Sequence, residues 1–467
     1  MSQEHWLMAS PLPSSLPIVP FTQPVRGSVT LPGSKSITNR ALILAALSPR
    51  TVTLRGALFS RDTRLLVDAL RALGFAIETD EAAPAITITG RGGEIPAREA
   101  RMEVGNAGTA ARFLTAFVCL RRDGIYHFDG DEAMRRRPIG ALLDALESQG
   151  ARADARGFPF TLRTAGLPGG PVELDASESS QLLSALLMVA PHARAPLTVK
   201  LKGETGSKPF VAMTEAMVKQ FSSAPAAYDI EGDASAASYF LALPLVTGGE
   251  LTLPNYRGTL QGDFQFRPVL EEVGLRTWNA GTAPGSPAFA VGGALRPDEQ
   301  STPGHKAPPT CAGADSTGRR DEPFVCSAPR GARHRAVQRS FREFSDTFLT
   351  LAAIAPLLDG PTKITGIAHT RKQETDRVAG MARELRKLGQ HVVETEDALE
   401  IHPRPLVSDV EIETYHDHRF AMSFGILGCH DRRGDGRPWL TIRDPACCHK
   451  TFPEFFDLLA RLRAGSH

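Results

Sequence analysis

The chain has 467 residues, too many for one ordinary hydrophobic core, so two domains are expected. Its 53 basic and 52 acidic residues leave a net charge of +1, which argues against a nucleic-acid or membrane-surface protein. No apolar run approaches the roughly 20 residues of a membrane span, Met1–Pro20 does not read as a signal or transit peptide, and the six cysteines show no metal or disulfide spacing, so a cytoplasmic protein with reduced thiols is expected.

In chain order, Val29–Leu31 reads as a strand, Asn39–Leu47 as a helix, Thr51–Leu54 as a strand and Arg61–Leu73 as an amphipathic helix. Ala85–Thr89 alternates as a strand; Phe113–Leu120, Gly140–Ser148 and Leu182–Ala190 read as helices. Leu70–Gly74, Leu146–Gly150, Leu270–Gly274 and Leu385–Gly389 each close a helix on a glycine, a weak repeat of roughly 75 to 120 residues. These features predict an α/β (α+β) protein in which one αβ module recurs in two lobes. From Trp278 to Arg339 periodicity vanishes into Gly, Pro, Ala, Ser and Arg, which reads as an irregular insertion.

Candidate functional residues gather at glycine-punctuated helix starts. Leu31–Arg40 runs from a strand end through a Pro-Gly turn into a helix carrying Lys35, Ser36 and Arg40. Free N–H groups and two cations there suit an anion, although a capped surface helix gives the same pattern. Gly105–Arg112 lets a ligand approach the main chain at Gly108. Of Arg135, Arg136 and Arg137, one turned inward would make a forked anion ligand. Ser179, Ser180 and Gln181 open a helix, and Ser207 precedes another; both also fit ordinary capping. Glu374 and Arg377 lie one helical turn apart. His416 and His418 are a weak metal signal without a nearby third ligand. Arg419 and Lys450 add late cations, so both halves supply groups for a polyanionic substrate.

These segments, with Glu231–Ser235, Gln261–Asp263, Asp417–Arg419 and Lys450–Pro453, resemble in order the motifs of the EPSP synthase (3-phosphoshikimate 1-carboxyvinyltransferase) family. The resemblance runs from about Pro24 to Ala460. It implies a two-lobed enolpyruvyl transferase fold of repeated βαβαββ modules, each lobe pseudo-threefold, with residues 34–230 in one lobe and 1–33 with 231–467 in the other. It implies shikimate 3-phosphate and phosphoenolpyruvate as substrates, no metal, no organic cofactor, and no nucleic-acid or membrane partner; a monomer is expected. By the same resemblance Lys35, Ser36 and Arg40 meet the shikimate phosphate, with Lys35 also near phosphoenolpyruvate. Ser179, Ser180, Gln181 and Ser207 hold shikimate oxygens, and His369 and Gln373 join the substrate-binding set. Gly108, Arg137, Arg377, His418, Arg419 and Lys450 surround phosphoenolpyruvate. Asp346 matches the catalytic aspartate and substrate contact, and Glu374 the proton donor; Lys35 or Lys450 assists phosphate departure.

Several positions depart from the family pattern. Gln373 stands where a lysine is usual, Phe210 where a tyrosine is common and Phe113 where a proline is frequent. After Phe221 a strand hairpin of roughly 20 residues looks missing, and roughly 40 residues look added between Gly274 and Phe341. Both lobes are therefore expected to lose part of a sheet, with impaired stability or activity, because Asp346 follows the irregular segment. The alternatives are an inactive ligand-binding paralogue and UDP-N-acetylglucosamine enolpyruvyl transferase. The latter usually carries a reactive cysteine in the loop corresponding to Arg121–Arg137, which has none here.

Overall fold

In the computed structural model, residues 12–177, 179–203, 207–258, 260–280 and 322–465 are described. The chain starts with β1 (Ser15–Pro17) and β2 (Val25–Ser28), then crosses into three successive modules. The first is α1 (Lys35–Leu47), β3 (Thr51–Arg55), α2 (Arg61–Ala72), β4 (Ile77–Asp80) and β5 (Ala85–Thr89). The second is β6 (Glu99–Glu103), α3 (Gly108–Val118), β7 (Ile125–Asp129), α4 (Glu132–Arg135), α5 (Gly140–Glu147), β8 (Arg152–Ala153) and β9 (Phe160–Arg163). The third is β10 (Gly170–Asp175), α6 (Ser180–Val189), β11 (Leu197–Lys202) and α7 (Lys208–Phe221); β12 (Ala227–Asp229) then returns to pair with β3.

The second half continues with α8 (Ala234–Thr247), β13 (Gly249–Leu253), α9 (Phe266–Val273), β14 (Arg276–Asn279) and β15 (Phe324–Ala328). Next come β16 (Gln338–Ser340), α10 (Phe348–Ile354), β17 (Thr362–Thr365), α11 (Arg377–Lys387), β18 (His391–Glu394) and β19 (Ala398–His402). It closes with β20 (Val410–Ile412), α12 (His418–Gly428), β21 (Leu440–Arg443) and α13 (Phe455–Ala464). Among the described residues six sheets result: β12-β3-β5-β4, β6-β7-β9-β8 and β10-β11 in the first half, and β14-β15-β13-β2, β16-β17-β19-β18 and β1-β21-β20 in the second.

The cores follow from which helices are apolar all round. Every residue of α3, α10 and α12 is buried, as are nearly all of α1 and α8. The sheets alternate buried and exposed positions, as in β3, where Val52 and Leu54 point inward. Two hydrophobic cores form, one drawn from residues between Ile37 and Ile230, the other from Ile18–Leu31 and Ala236–Leu462. The chain crosses between them where Gly33 bridges Gly232 and Ser34 N donates to Glu231 O at 2.8 Å.

Three sequence expectations need correction. The strand expected at Val29–Leu31 ends at Ser28. Pro32 has no N–H to continue a ladder, and the Asn255 side chain instead takes both backbone groups of Leu31, each at 2.8 Å. The irregular stretch from Trp278 to Arg339 contains parts of two strands and all of a third: β14 pairs with β15 over Arg276–Asn279 and Phe324–Ser327, and β16 pairs with β17. Only 281–321 of that stretch lies outside the described residues. Among the described residues the two sheets that flank it have four strands each, so the expected loss of strands in the second half is not seen there, and Asp346 follows an ordered segment. Among the described residues β10-β11 has two strands where its two sister sheets have four, in keeping with the shortfall expected after Phe221.

Candidate active site

The cleft between the lobes is built first by α1, α3, α6 and α7. Ser34 caps α1 through its Oγ, so Lys35 and Ser36 stand at a helix start. Arg40, one turn on, is 2 % exposed. Its guanidinium donates to Thr214 Oγ1 (2.7 Å), Ser184 Oγ (3.1 Å) and Ser36 O (3.0 Å), and lies over the Phe113 ring at 5.2 Å. All these partners are neutral, and burial pulls its pKa down to about 9. Arg112 is buried too, donating to Pro138 O (2.5 Å) and Gly108 O (3.2 Å); burial and then the nearby Arg137 depress its pKa.

The arginine triplet divides as its pattern allowed. Arg135 pairs with Asp129 and Arg136 with Glu132 at the surface. Arg137 turns inward and, among the described residues, donates to Asn106 alone, at 3.3 and 3.4 Å. Among the described residues, Lys35 alone of these four cleft cations has a carboxylate within salt-bridge reach, Asp62 at 3.7 Å. Ser179 caps α6 by accepting from Gln181 N, and the Gln181 Oε1 is buried without a partner. Ser207 precedes α7 in the same wall.

The opposite wall carries the carboxylates. Asp346 sits in a tight turn at Ser345–Thr347, with Arg377 Nη1 at 3.0 Å from Oδ1 and Arg419 Nη2 at 2.5 Å from Oδ2. Burial alone would raise its carboxyl; Arg419, Arg377 and Lys35 outweigh that and hold it below its ordinary value. Arg377 also donates Nε to Asp417, at 2.7 Å, and Asp417 caps α12 through Arg419 N. Glu374 lies 3.0 Å from Lys450 Nζ, 3.3 Å from His418 Nδ1 and 3.9 Å from Arg377 Nη2. Against burial, Lys450, His418 and Arg377 hold its carboxyl well below the usual range. His418 is itself pushed down by burial, although Glu374 pulls the other way. Lys450 Nζ also donates to Asn106 O at 3.1 Å, tying the two walls together.

Glu374, Asp417 and His418 place potential ligand atoms within 4.8 Å of one another. Both carboxylates are already engaged by cations, Arg377 on Asp417 and Lys450 on Glu374, a donor set matched to neutralising charge. Asp263, buried near Asp346, accepts from the Ser235 hydroxyl. Burial, then the Asp346 charge, raises its carboxyl to about 7.

A family description, EPSP synthase (3-phosphoshikimate 1-carboxyvinyltransferase), matches residues 19–225 and 222–459. A protein of Opitutus terrae named 3-phosphoshikimate 1-carboxyvinyltransferase is 50 % identical, covering 98 % of this chain and 99 % of its own. The chain belongs to the EPSP synthase family. A namesake from Nostoc punctiforme is 35 % identical over 95 % of this chain and 97 % of its own. An EPSP synthase structure from Acinetobacter baumannii shares the fold with a TM-score of 0.70 at 22 % identity, covering 96 % of this chain and 98 % of that one. The enolpyruvyl transferase NikO of Streptomyces tendae shares it at 0.65 and 16 % identity, covering 96 % and 97 %.

In this EPSP synthase family member the cleft brings together most of the residues singled out in the sequence. Lys35, Ser36, Arg40, Arg137, Ser179, Ser180, Gln181 and Ser207 line one wall. Asp346, His369, Gln373, Glu374, Arg377 and Arg419 line the other. Gly108, His418 and Lys450 stand just behind, against Arg137 and Glu374. Thr109, Arg112, Pro138, Phe210, Ser345 and Lys372 also line the cleft, beyond the residues that the sequence suggests. For Arg112 the signal was available: an arginine inside an otherwise apolar helix, one turn after Gly108. The described helices include none long and apolar enough to cross a membrane.

Proposed function

We propose that this cleft transfers the enolpyruvyl group of phosphoenolpyruvate to the 5-hydroxyl of shikimate 3-phosphate, releasing phosphate. The observation that carries it is the charge pattern. Among the described residues Arg40, Arg112 and Arg137 stand in one wall without carboxylate partners, facing two cation-held carboxylates in the other. Such a site is completed by polyanionic ligands.

The acceptor phosphate is assigned to Lys35, Ser36 and Arg40, and its remaining oxygens to Ser179, Ser180, Gln181 and Ser207, with His369 and Gln373 opposite. Phosphoenolpyruvate is assigned to Arg137, Arg377, Arg419, Lys450 and Lys35, with Gly108 and His418 shaping its seat. Glu374 protonates the methylene carbon, and the 5-hydroxyl, losing its proton to Asp346, attacks the adjacent carbon. Phosphate then leaves, assisted by Lys35 or Lys450, as the methyl group returns a proton. Against burial, Lys450, His418 and Arg377 hold the Glu374 carboxyl below the range of a working acid. The anionic donor offsets Lys450 and Arg377, which lets burial raise the carboxyl toward a working acid. The two cores favour reading 34–230 as one lobe and the described residues of 1–33 and 231–467 as the other.

Cys119 is buried and its thiol is pushed up by burial, so it does not supply the reactive cysteine of the UDP-N-acetylglucosamine reading. Phosphate release with both substrates tests the assignment. Glu374→Gln is expected to lower kcat by about a hundredfold or more with little change in KM. Binding of shikimate 3-phosphate without any turnover by the unaltered chain would point instead to a ligand-binding paralogue.

A further inference from the structure

We infer that the open edge of β11 pairs with β11 of a second copy of this chain, antiparallel about a two-fold axis at Val199, to form a weak homodimer in place of the expected monomer. Each of the other five sheets contains a strand with a parallel neighbour on one side and an antiparallel neighbour on the other. Those strands are β3, β7, β13, β17 and β21. β11 has its parallel neighbour, β10, over all six residues, but no antiparallel one among the described residues. A second β11 in that position restores a four-stranded sheet, β10-β11-β11-β10, of the size of its sisters. A strand edge presents unpaired N–H and C=O groups, and a two-fold axis lets one edge satisfy its own copy.

The side chains set the register. Leu197, Val199 and Leu201 share one face, and Thr198, Lys200 and Lys202 the other. Leu201 is 44 % exposed, one of three large apolar side chains left open among the described residues. Directly opposed residues of an antiparallel pair point to the same face. An axis at Val199 sets Leu197 against Leu201 of the second copy and Thr198 against Lys200. An axis at Lys200 would oppose two lysines, which is destabilising. Lys202 is already paired with Glu173 at 2.7 Å. Lysines on an edge resist indiscriminate pairing, and a six-residue strand buries less than the roughly 1,000 Å² that a stable interface clears. The contact is therefore weak and selective in register.

Sedimentation velocity of the full chain from about 1 to 300 µM, the range in which weak complexes assemble, is expected to show a monomer giving way to a dimer. Leu201→Lys should weaken association at least tenfold while phosphate release stays at the parental rate, which shows that the variant is folded. Opposed Cα atoms lie about 4.5 to 5.5 Å apart, within disulfide reach. Under mild oxidation Val199→Cys should therefore yield a dimer cross-linked at the substituted position, and Thr198→Cys and the parent should not. A parent monomeric at the highest concentration overturns the inference. So does a dimer indifferent to Leu201→Lys, or one in which Val199→Cys forms no cross-link.

Discussion

At Gly108 a single methyl group decides the fate of a cation. A Cβ there would lie 2.4 Å from Arg137 Nη2, so Gly108→Ala displaces the guanidinium from the cleft wall. Steady-state kinetics should show KM for phosphoenolpyruvate raised about tenfold or more, a misplaced anion ligand being worth at least 1.4 kcal/mol, with a smaller change for the acceptor. Asp263 supplies a prediction in pH. Its folded-state pKa of about 7 lies above its ordinary value of 3.8. The folded protein thus binds an extra proton between those values, and stability falls as pH rises from about 4 to about 7, then levels. Asp263→Asn removes that slope. Denaturant midpoints of the variant, measured relative to the parent, should rise over that window and stay constant above it. Asp346 has the opposite sign: its lowered pKa stabilises the fold above the ordinary carboxyl range, and that contribution is lost as pH falls below it. The roles of these residues were readable where chemistry clusters at a motif. The place of Arg112 inside an apolar helix is visible in the sequence, whereas its lack of a carboxylate partner among the described residues depends on what folds against it.

At the scale of elements, the strands flanking 281–321 are the informative case. β14 and β15 pair over four residues, and Ala280 N donates to Pro323 O at 2.8 Å, so the chain leaves and rejoins the sheet at one point. Replacing 281–321 with Asn-Gly should therefore keep kcat within about twofold and the fold intact, since a two-residue turn suits such a pair. A loss of activity beyond about tenfold would show that the segment contributes to the site. Sequence periodicity hid these strands for distinct reasons. β15 is short, with four of its five residues buried, and lacks the alternation of a half-exposed strand. β16 is exposed at all three positions and has no apolar signal at all. The helices were legible because 8 to 13 residues of spaced apolar positions are a stronger signal than a strand of three to five. α1 nevertheless starts four residues before the expected Asn39, at the cap supplied by Ser34.

Over the whole molecule, the near-zero net charge conceals a local excess of cations in the cleft. Raising ionic strength screens the approach of anionic substrates. KM for both should rise several-fold between low and about 0.5 M salt, while kcat, set by groups buried from solvent, changes little. Two crossings at Gly33 and Gly232, the Asn255 clasp on Leu31 and the Lys450 contact with Asn106 hold the walls at their spacing. The sequence by itself determined the order of modules, the family and the chemical types of group available, because helix periodicity, caps and contiguous motifs are local properties of the chain. Set against the family pattern, it also pointed to a hairpin missing after Phe221. Only the tertiary structure decided which cations lack counter-ions, which way Arg137 turns, that β14 and β15 meet across 281–321, and which strand edge stays open. Each of those depends on groups far apart in the chain arriving at one place, and burial, charge compensation and strand pairing exist only after they have met.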